Sequence, residues 1–420
     1  MSSMPVRVPA DSPHHQAVLD LPRRLTLVGE GFSHFLEFLM PGVRSEFLDL
    51  SDLDLGPMLD SVYRRDEEAD AVTRAIHRTH GEARRQFELA LEHGIAAVPE
   101  AIPEIVAFFE TVDPVPPEID LDKVEIGVAA LRRIDPVTMT AAGWVTGFLL
   151  AAILPNTAQA LVETKRTIKD PGHRAVETGA YVMTTLRPGG YTRFAEGAKT
   201  ATRLRIMHSA IRLRLEKKGG WDETALGAPA SIADTLGGAF PHSLWLRLCA
   251  ERLGYEFSAE EREGIAHFTA LAAYRHGIPV DMIPFTEAEQ RLTTYVALRS
   301  ANMSTAPEAT RVLMPPMVSL ELPVVPASLR PAAAGVINAF AHRALGRELC
   351  AATGIPNSPA RVLLPVLSTL IKISERARRV PPYGRAVQRL GDALHRNTYP
   401  RVFTIRGDAA AHFQKLETTS

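Results

Sequence analysis

The chain has little with which to build a cross-linked, β-rich or strongly charged protein. Only two cysteines, Cys249 and Cys350, stand in 420 residues. Both lie in apolar helical contexts (LWLRLCAERL and HRALGRELCAA), so a disulfide framework is excluded and a reduced interior suits them. Aromatic residues make up 6% of the chain, and alternating β-branched runs are confined to short pieces such as Val318–Val325 and Arg401–Ile405, which argues against a sandwich or barrel. The balance of 47 basic and 48 acidic residues gives a net charge of −1. With no basic tail and no zinc-ligand spacing, that balance offers nothing to attract a nucleic acid. No G-x-G-x-x-G, Walker loop or nucleophile elbow occurs, which removes the common dinucleotide, nucleotide and acyl-transfer signatures.

What is present is helix. The 31 prolines fall mostly between apolar-periodic segments, and helix starts are explicit. Asp170-Pro171 supplies an N-cap and a proline at the first helical position, while Ser231-x-x-Asp234, Ser258-x-x-Glu261 and Thr286-x-x-Glu289 read as capping boxes. Gly254 and Gly277 read as stops. The pattern predicts helices over about 16–39, 57–94, 101–112, 121–134, 137–154, 156–169, 171–186, 194–218, 229–238, 241–253, 258–276, 286–301, 330–352, 358–379 and 383–396. A disordered tail is expected over 1–15 and a single helical domain over 16–410.

The N-terminus, MSSMPVRVPADSPHHQ, has no apolar core of a signal sequence. Glu30, His34 and Glu37 interrupt the segment beyond the twin arginine Arg23-Arg24, so a soluble cytoplasmic protein is expected. Val137–Leu154 is free of charge over 18 residues, but its three threonines, two glycines and lack of flanking lysines suit a buried core helix better than a membrane span.

One segment stands out chemically: Thr202–Arg214, TRLRIMHSAIRLR. At helical spacing, Ala201, Leu204, Ile211 and Leu215 lie above and below His208, and Arg203, Arg205, Arg212 and Arg214 fan away from that stripe. Two readings fit. A lone histidine on an apolar helix face is commonly a hydrogen-bonded core residue, and flanking arginines are commonly solvated. Alternatively, an imidazole on an apolar wall with a basic rim suits haem, whose iron needs a nitrogen ligand and whose propionates need cations. With no C-x-x-C-H in the chain, such a haem is held noncovalently.

RLRIMHSAIR resembles the haem-ligand helix of the family that includes the bacterial latex clearing proteins (rubber oxygenases) and the fungal membrane-bound oxygenases that cut a prenyl side chain. Upstream, Arg174-Ala175-Val176-Glu177-Thr178 is similar to that family's distal helix, R-x-x-K-T in latex clearing proteins. Downstream, Gly227-Ala228-Pro229 with Ser231 and Asp234, and Tyr274-Arg275-His276-Gly277-Ile278-Pro279 closed by Pro284, continue the likeness. The best-matched stretch is about 121–284.

The resemblance implies an all-α fold with a globin-like helical core around a haem and additional helices at both ends. It implies haem b as cofactor and dioxygen as co-substrate, with His208 as the proximal iron ligand. Arg174 and Thr178 match the distal helix; Glu177 replaces the family's lysine. On one face of the helix that begins at Pro171, Arg174, Glu177, Thr178 and Tyr181 present a cation, a carboxylate, a hydroxyl and a phenol. Arg174, Glu177 and Thr178 are thus the candidate catalytic residues. Arg203, Arg205, Arg212 and Met207 are the candidate cofactor contacts. The expected function is oxygenation of an apolar, olefinic or isoprenoid small molecule, with no nucleic acid partner and no integral membrane association. A noncatalytic haem- or apolar-ligand-binding protein is the other class that the pattern admits.

Overall fold

The computed structural model describes residues 32–42, 60–302, 305–318, 328 and 330–398. Among these, helices of seven residues or more run α1 (Ser33–Leu39), α2 (Glu67–Arg78), α3 (Glu82–His93), α4 (Pro103–Val112), α5 (Leu121–Arg132) and α6 (Pro136–Ile153). They continue with α7 (Pro155–Thr164), α8 (Pro171–Thr185), α9 (Glu196–Lys218), α10 (Ile232–Ala239), α11 (Leu244–Leu253) and α12 (Ala259–Arg275). The last five are α13 (Glu287–Ser300), α14 (Pro307–Val318), α15 (Arg330–Leu345), α16 (Leu363–Ala377) and α17 (Pro381–Ala393). No strand occurs among the described residues, and the expectation of an all-α protein holds.

Local chemistry explains where helices start. Asp120, Asp135 and Asp170 accept backbone N–H groups at the starts of α5, α6 and α8, and all three expected capping boxes form, at Ser231, Ser258 and Thr286. Each such cap satisfies otherwise orphaned donors and stabilises its helix by about 1 kcal/mol. Breaks inside expected helices come from backbone turns instead. The segment expected over 57–94 divides at His80 (φ 47°) and Gly81 (φ 101°), that over 156–169 at Lys165 (φ 58°), and that over 330–352 at Gly346 (φ 84°). Lys165 carries no sequence signal, because left-handed backbone is ordinarily read from glycine or asparagine.

α14 departs from the expected pattern. Pro315 and Pro316 lie inside it, and Val318, expected to begin an extended piece, is its last residue. The other expected extended piece, and the tail over 1–15, lie outside the described residues.

Two hydrophobic clusters organise the molecule. The larger extends from Phe32 to Ile371. The smaller is built from α2, α3 and α4, with Phe87, Phe108 and Phe109 at its centre and Ile206 of α9 packed against it. α9 therefore runs between the two clusters. α6 is the one described helix long and apolar enough to cross a membrane, yet Met139, Ala142, Val145, Leu149 and Ile153 are buried in the larger cluster against α11, α14 and α15. The tightest crossing is α5 on α12. A Cβ at Gly127 would stand 2.3 Å from the Gly264 carbonyl carbon, so both positions need glycine for the backbones to touch.

Candidate haem-binding site

The site forms where α8 and α9 run side by side. α9 is pinned from the other direction. Arg212, 1% exposed, donates to Asp70 at 2.6 Å and to the Ala230 carbonyl at 2.6 Å. Arg205 grips Asp66 through two hydrogen bonds of 2.8 Å and lies over the Phe108 ring. Arg203 reaches Glu88 at 2.7 Å and Glu92 at 3.1 Å. Gly277 (φ 88°) completes the clamp, since a Cβ there would fall 2.3 Å from Arg205 Nε.

Arg203, Arg205 and Arg212, expected as cofactor contacts, are each engaged by carboxylates in this structure. Their charges are already matched by α2 and α3, together with the α2 cap Asp66, and withdrawing Arg212 would leave the buried Asp70 unpaired, which is costly. Sequence spacing places the arginines beside the His208 stripe, but the acidic partners come from far upstream in the chain. Met207 is half-buried and neighbours His208 in sequence.

His208 is held differently. No described residue hydrogen-bonds to its ring. Burial, reinforced by coupling to His276 and by the charges of Arg212 and Arg174, lowers its pKa to about 3, although the side chain is only partly buried. Burial thus keeps the imidazole neutral, with a lone pair to offer. Leu215, two turns along the same stripe, lines a cavity of about 540 Å³ with Glu163, Trp221 and Ala309.

The facing helix is loosely held. Of α8, only Met183 and Thr185 are buried; Pro171 to Val182 all remain half-open. Arg174 donates to Thr178 Oγ1 at 2.9 Å, and burial lowers its pKa while Glu177 opposes that shift. The structure thus brings Arg174 and Thr178 together on one turn, with Arg174 near enough for its charge to act on His208. Glu177 belongs to an ion-pair cluster: it meets Arg166, His173 at 3.2 Å and Arg174 at 4.0 Å.

A buried polar chain extends the site beyond the residues singled out from sequence. Tyr181 Oη lies 2.7 Å from Tyr191 Oη and 2.9 Å from His276 Nε2. His276 Nδ1 lies 2.6 Å from the Ala272 carbonyl, which only accepts. Nδ1 therefore carries the proton, Nε2 accepts from Tyr181, and Tyr181 in turn accepts from Tyr191. Burial pushes both phenols well above their ordinary range and lowers His276 to about 4 and nearby His242 to about 3. The whole chain is neutral, and its protons can be passed along it. His276 lies in the Tyr-Arg-His-Gly-Ile-Pro motif and Tyr181 on the Arg174 face, which are the signals that reach these two residues; Tyr191 and His242 carry none.

With this geometry in place, comparison with known proteins is informative. Residues 132–376 match the family described as ER-bound oxygenase mpaB/B'/rubber oxygenase, catalytic domain. The fold is similar to that of a solved latex clearing protein, LCP, in its closed state, with a TM-score of 0.62 at 20% identity, covering 83% of this chain and 92% of that one. No curated protein matches the chain. The family match spans more than half of the sequence and takes in α6 to α16 with His208 and the α8 face, and so this chain belongs to the mpaB/B' and rubber oxygenase catalytic-domain family.

Proposed function

We propose that the protein is a haem-b-dependent oxygenase of an apolar, olefinic or isoprenoid small molecule, with His208 as the proximal iron ligand. The observation that supports this reading is His208 itself: partly open, with no hydrogen bond to its ring from a described residue, on α9 where that helix packs beside α8. Among the described residues no three His, Cys, Asp or Glu side chains gather as a metal-binding group. A single imidazole is instead the ligand count that a haem asks of a protein, since the porphyrin supplies four nitrogens. When bound, the haem supplies an iron that activates dioxygen.

The chain's own residues have separable tasks. His208 anchors the metal. Arg174, oriented by Thr178, places a positive charge and N–H donors on the facing side, where negative charge on oxygen is stabilised. Tyr181 holds a proton at Oη, directed at His276 Nε2, and Tyr191 donates to the same oxygen and can replace it. Glu177 is held by Arg166 and His173, and those contacts occupy its carboxylate. That arrangement also favours the second reading, a haem protein that binds an apolar ligand without turnover.

His208→Ala tests the anchor. The purified variant, titrated with haem, is expected to give no Soret band while retaining its far-UV circular dichroism. Full haem binding with an unchanged spectrum rejects His208 as the ligand. Oxygen uptake with terpenoid, carotenoid and alkenyl substrates then separates enzyme from binder.

A further inference from the structure

The last two helices leave an apolar stripe uncovered. Val362, Leu363, Val366, Leu370 and Ile373 recur at helical steps along α16 and its entry, with Leu370 60% exposed. The opposite face, Leu364, Ser368, Ile371 and Glu375, is buried against the body of the protein. α17 repeats the pattern with Val380, Tyr383 and Leu390, the last 62% exposed. Tyr383 Oη lies 3.1 Å from Ser374 Oγ, so the two stripes adjoin. Isolated exposed apolar side chains are ordinary; a continuous stripe on adjoining helices is not.

The charges around the stripe are of one sign. Residues 359–398 contain eight Lys or Arg and two carboxylates, a net of +6. Both carboxylates are committed inward: Glu375 is 3% exposed, and Asp392 holds Arg132 at 2.8 Å. Arg378 and Arg379 are matched by Glu261, Glu375 and Glu256. Arg361, Lys372, Arg376, Arg385, Arg389 and Arg396 pair with no described carboxylate.

An occupant must therefore be apolar in one layer and negative in the next. A second copy presenting the same face brings +6 against +6. The segment after α17, with Arg401, Arg406 and Lys415 against Asp408 and Glu417, brings no net negative charge. A bilayer containing anionic lipid has both layers. We propose that α16 and α17 form an interfacial docking surface for an anionic membrane, with the apolar stripes seated at the boundary between headgroups and acyl chains and the six cations against the headgroups. This surface is separate from the α8–α9 site and does not depend on the oxygenase reading.

The test is co-sedimentation of the full chain with phosphatidylcholine vesicles, with and without phosphatidylglycerol. Binding is expected for the anionic vesicles, weak for the neutral ones, and falling steeply between low and high salt. Arg385→Glu and Arg389→Glu are expected each to lower partitioning about fivefold or more. Leu370→Glu with Ile373→Glu is expected to abolish it, with unchanged circular dichroism and thermal midpoint because both positions are exposed. Failure of the wild-type chain to bind anionic vesicles at low salt overturns the proposal, as does undiminished binding of the charge-reversed and apolar-to-acid variants. A dimer in sedimentation velocity that these variants dissolve, without lipid binding, assigns the stripe to a second copy and likewise overturns it.

Discussion

α5 and α8 are built to opposite specifications. α5 meets α12 backbone to backbone through Gly127 and Gly264, whereas α8 keeps nearly its whole length half-open and buries only Met183 and Thr185. α9 unites both styles in one helix: Arg205, Ser209 and Arg212 are buried on one side, and His208, next to Ser209, is only partly buried. Close packing is concentrated at the α5–α12 crossing and on the pinned side of α9, and α8 is left loosely packed.

The largest expected effect concerns the buried neutral chain. His242 and His276 have folded pKa values lowered to about 3 and about 4, against about 6.5 when unfolded. Below pH 6.5 the unfolded state binds more protons, so stability is lost as pH falls from about 6.5 toward 4. Each imidazole contributes up to about 1.4 kcal/mol per pH unit in that window. Urea midpoints between pH 7.5 and 5 measure this, and a flat profile rejects it.

Breaking the pinned side of α9 comes next. Asp70→Ala leaves Arg212 buried without its carboxylate and is expected to cost about 3–5 kcal/mol in a denaturant titration; a loss below 1 kcal/mol shows that the clamp is not structural. Gly127→Val attacks the tight crossing itself, where steric overlap is expected to cost at least about 1–3 kcal/mol. On the open side, Arg174→Ala is expected to retain haem and fold while turnover falls about ten- to a hundredfold, the worth of a charge-assisted hydrogen bond. An equal loss of haem content assigns Arg174 to cofactor retention instead. The smallest effect sharpens the contrast. At Gly172 on α8 the nearest atom to an added Cβ is Asp170 Oδ1 at 4.0 Å, so Gly172→Ala is expected to be tolerated or to stabilise by up to about 0.5 kcal/mol, where an added side chain at Gly127 is not.

Much of this was legible in the chain because it is local. Capping at Asp170, Ser231, Ser258 and Thr286 depends on residues three apart, and the apolar stripe through His208 depends on one helix's period; both are written within a few turns. The family likeness rests on short segments of the same kind, around Arg174, His208 and His276. α14 is not legible because Pro315-Pro316 argues locally against helix, and tertiary burial of Leu313, Met314 and Met317 outweighs that preference.

The site divides along the same line. The sequence by itself determined an all-helical protein with one imidazole on an apolar face and a matched segment opposite it. Only the tertiary structure decided which charges are spent and which are free. Arg203, Arg205 and Arg212 stand beside His208 in the sequence, but their carboxylates arrive from α2, its cap and α3; Glu177 stands in the distal motif, but Arg166 and His173 fold back onto it. Tyr181, Tyr191 and His276 become one chain only when α8, the turn after it and the end of α12 meet. Charge pairing and proton transfer act over a few ångströms in space, and sequence separation places no bound on which residues come within that distance.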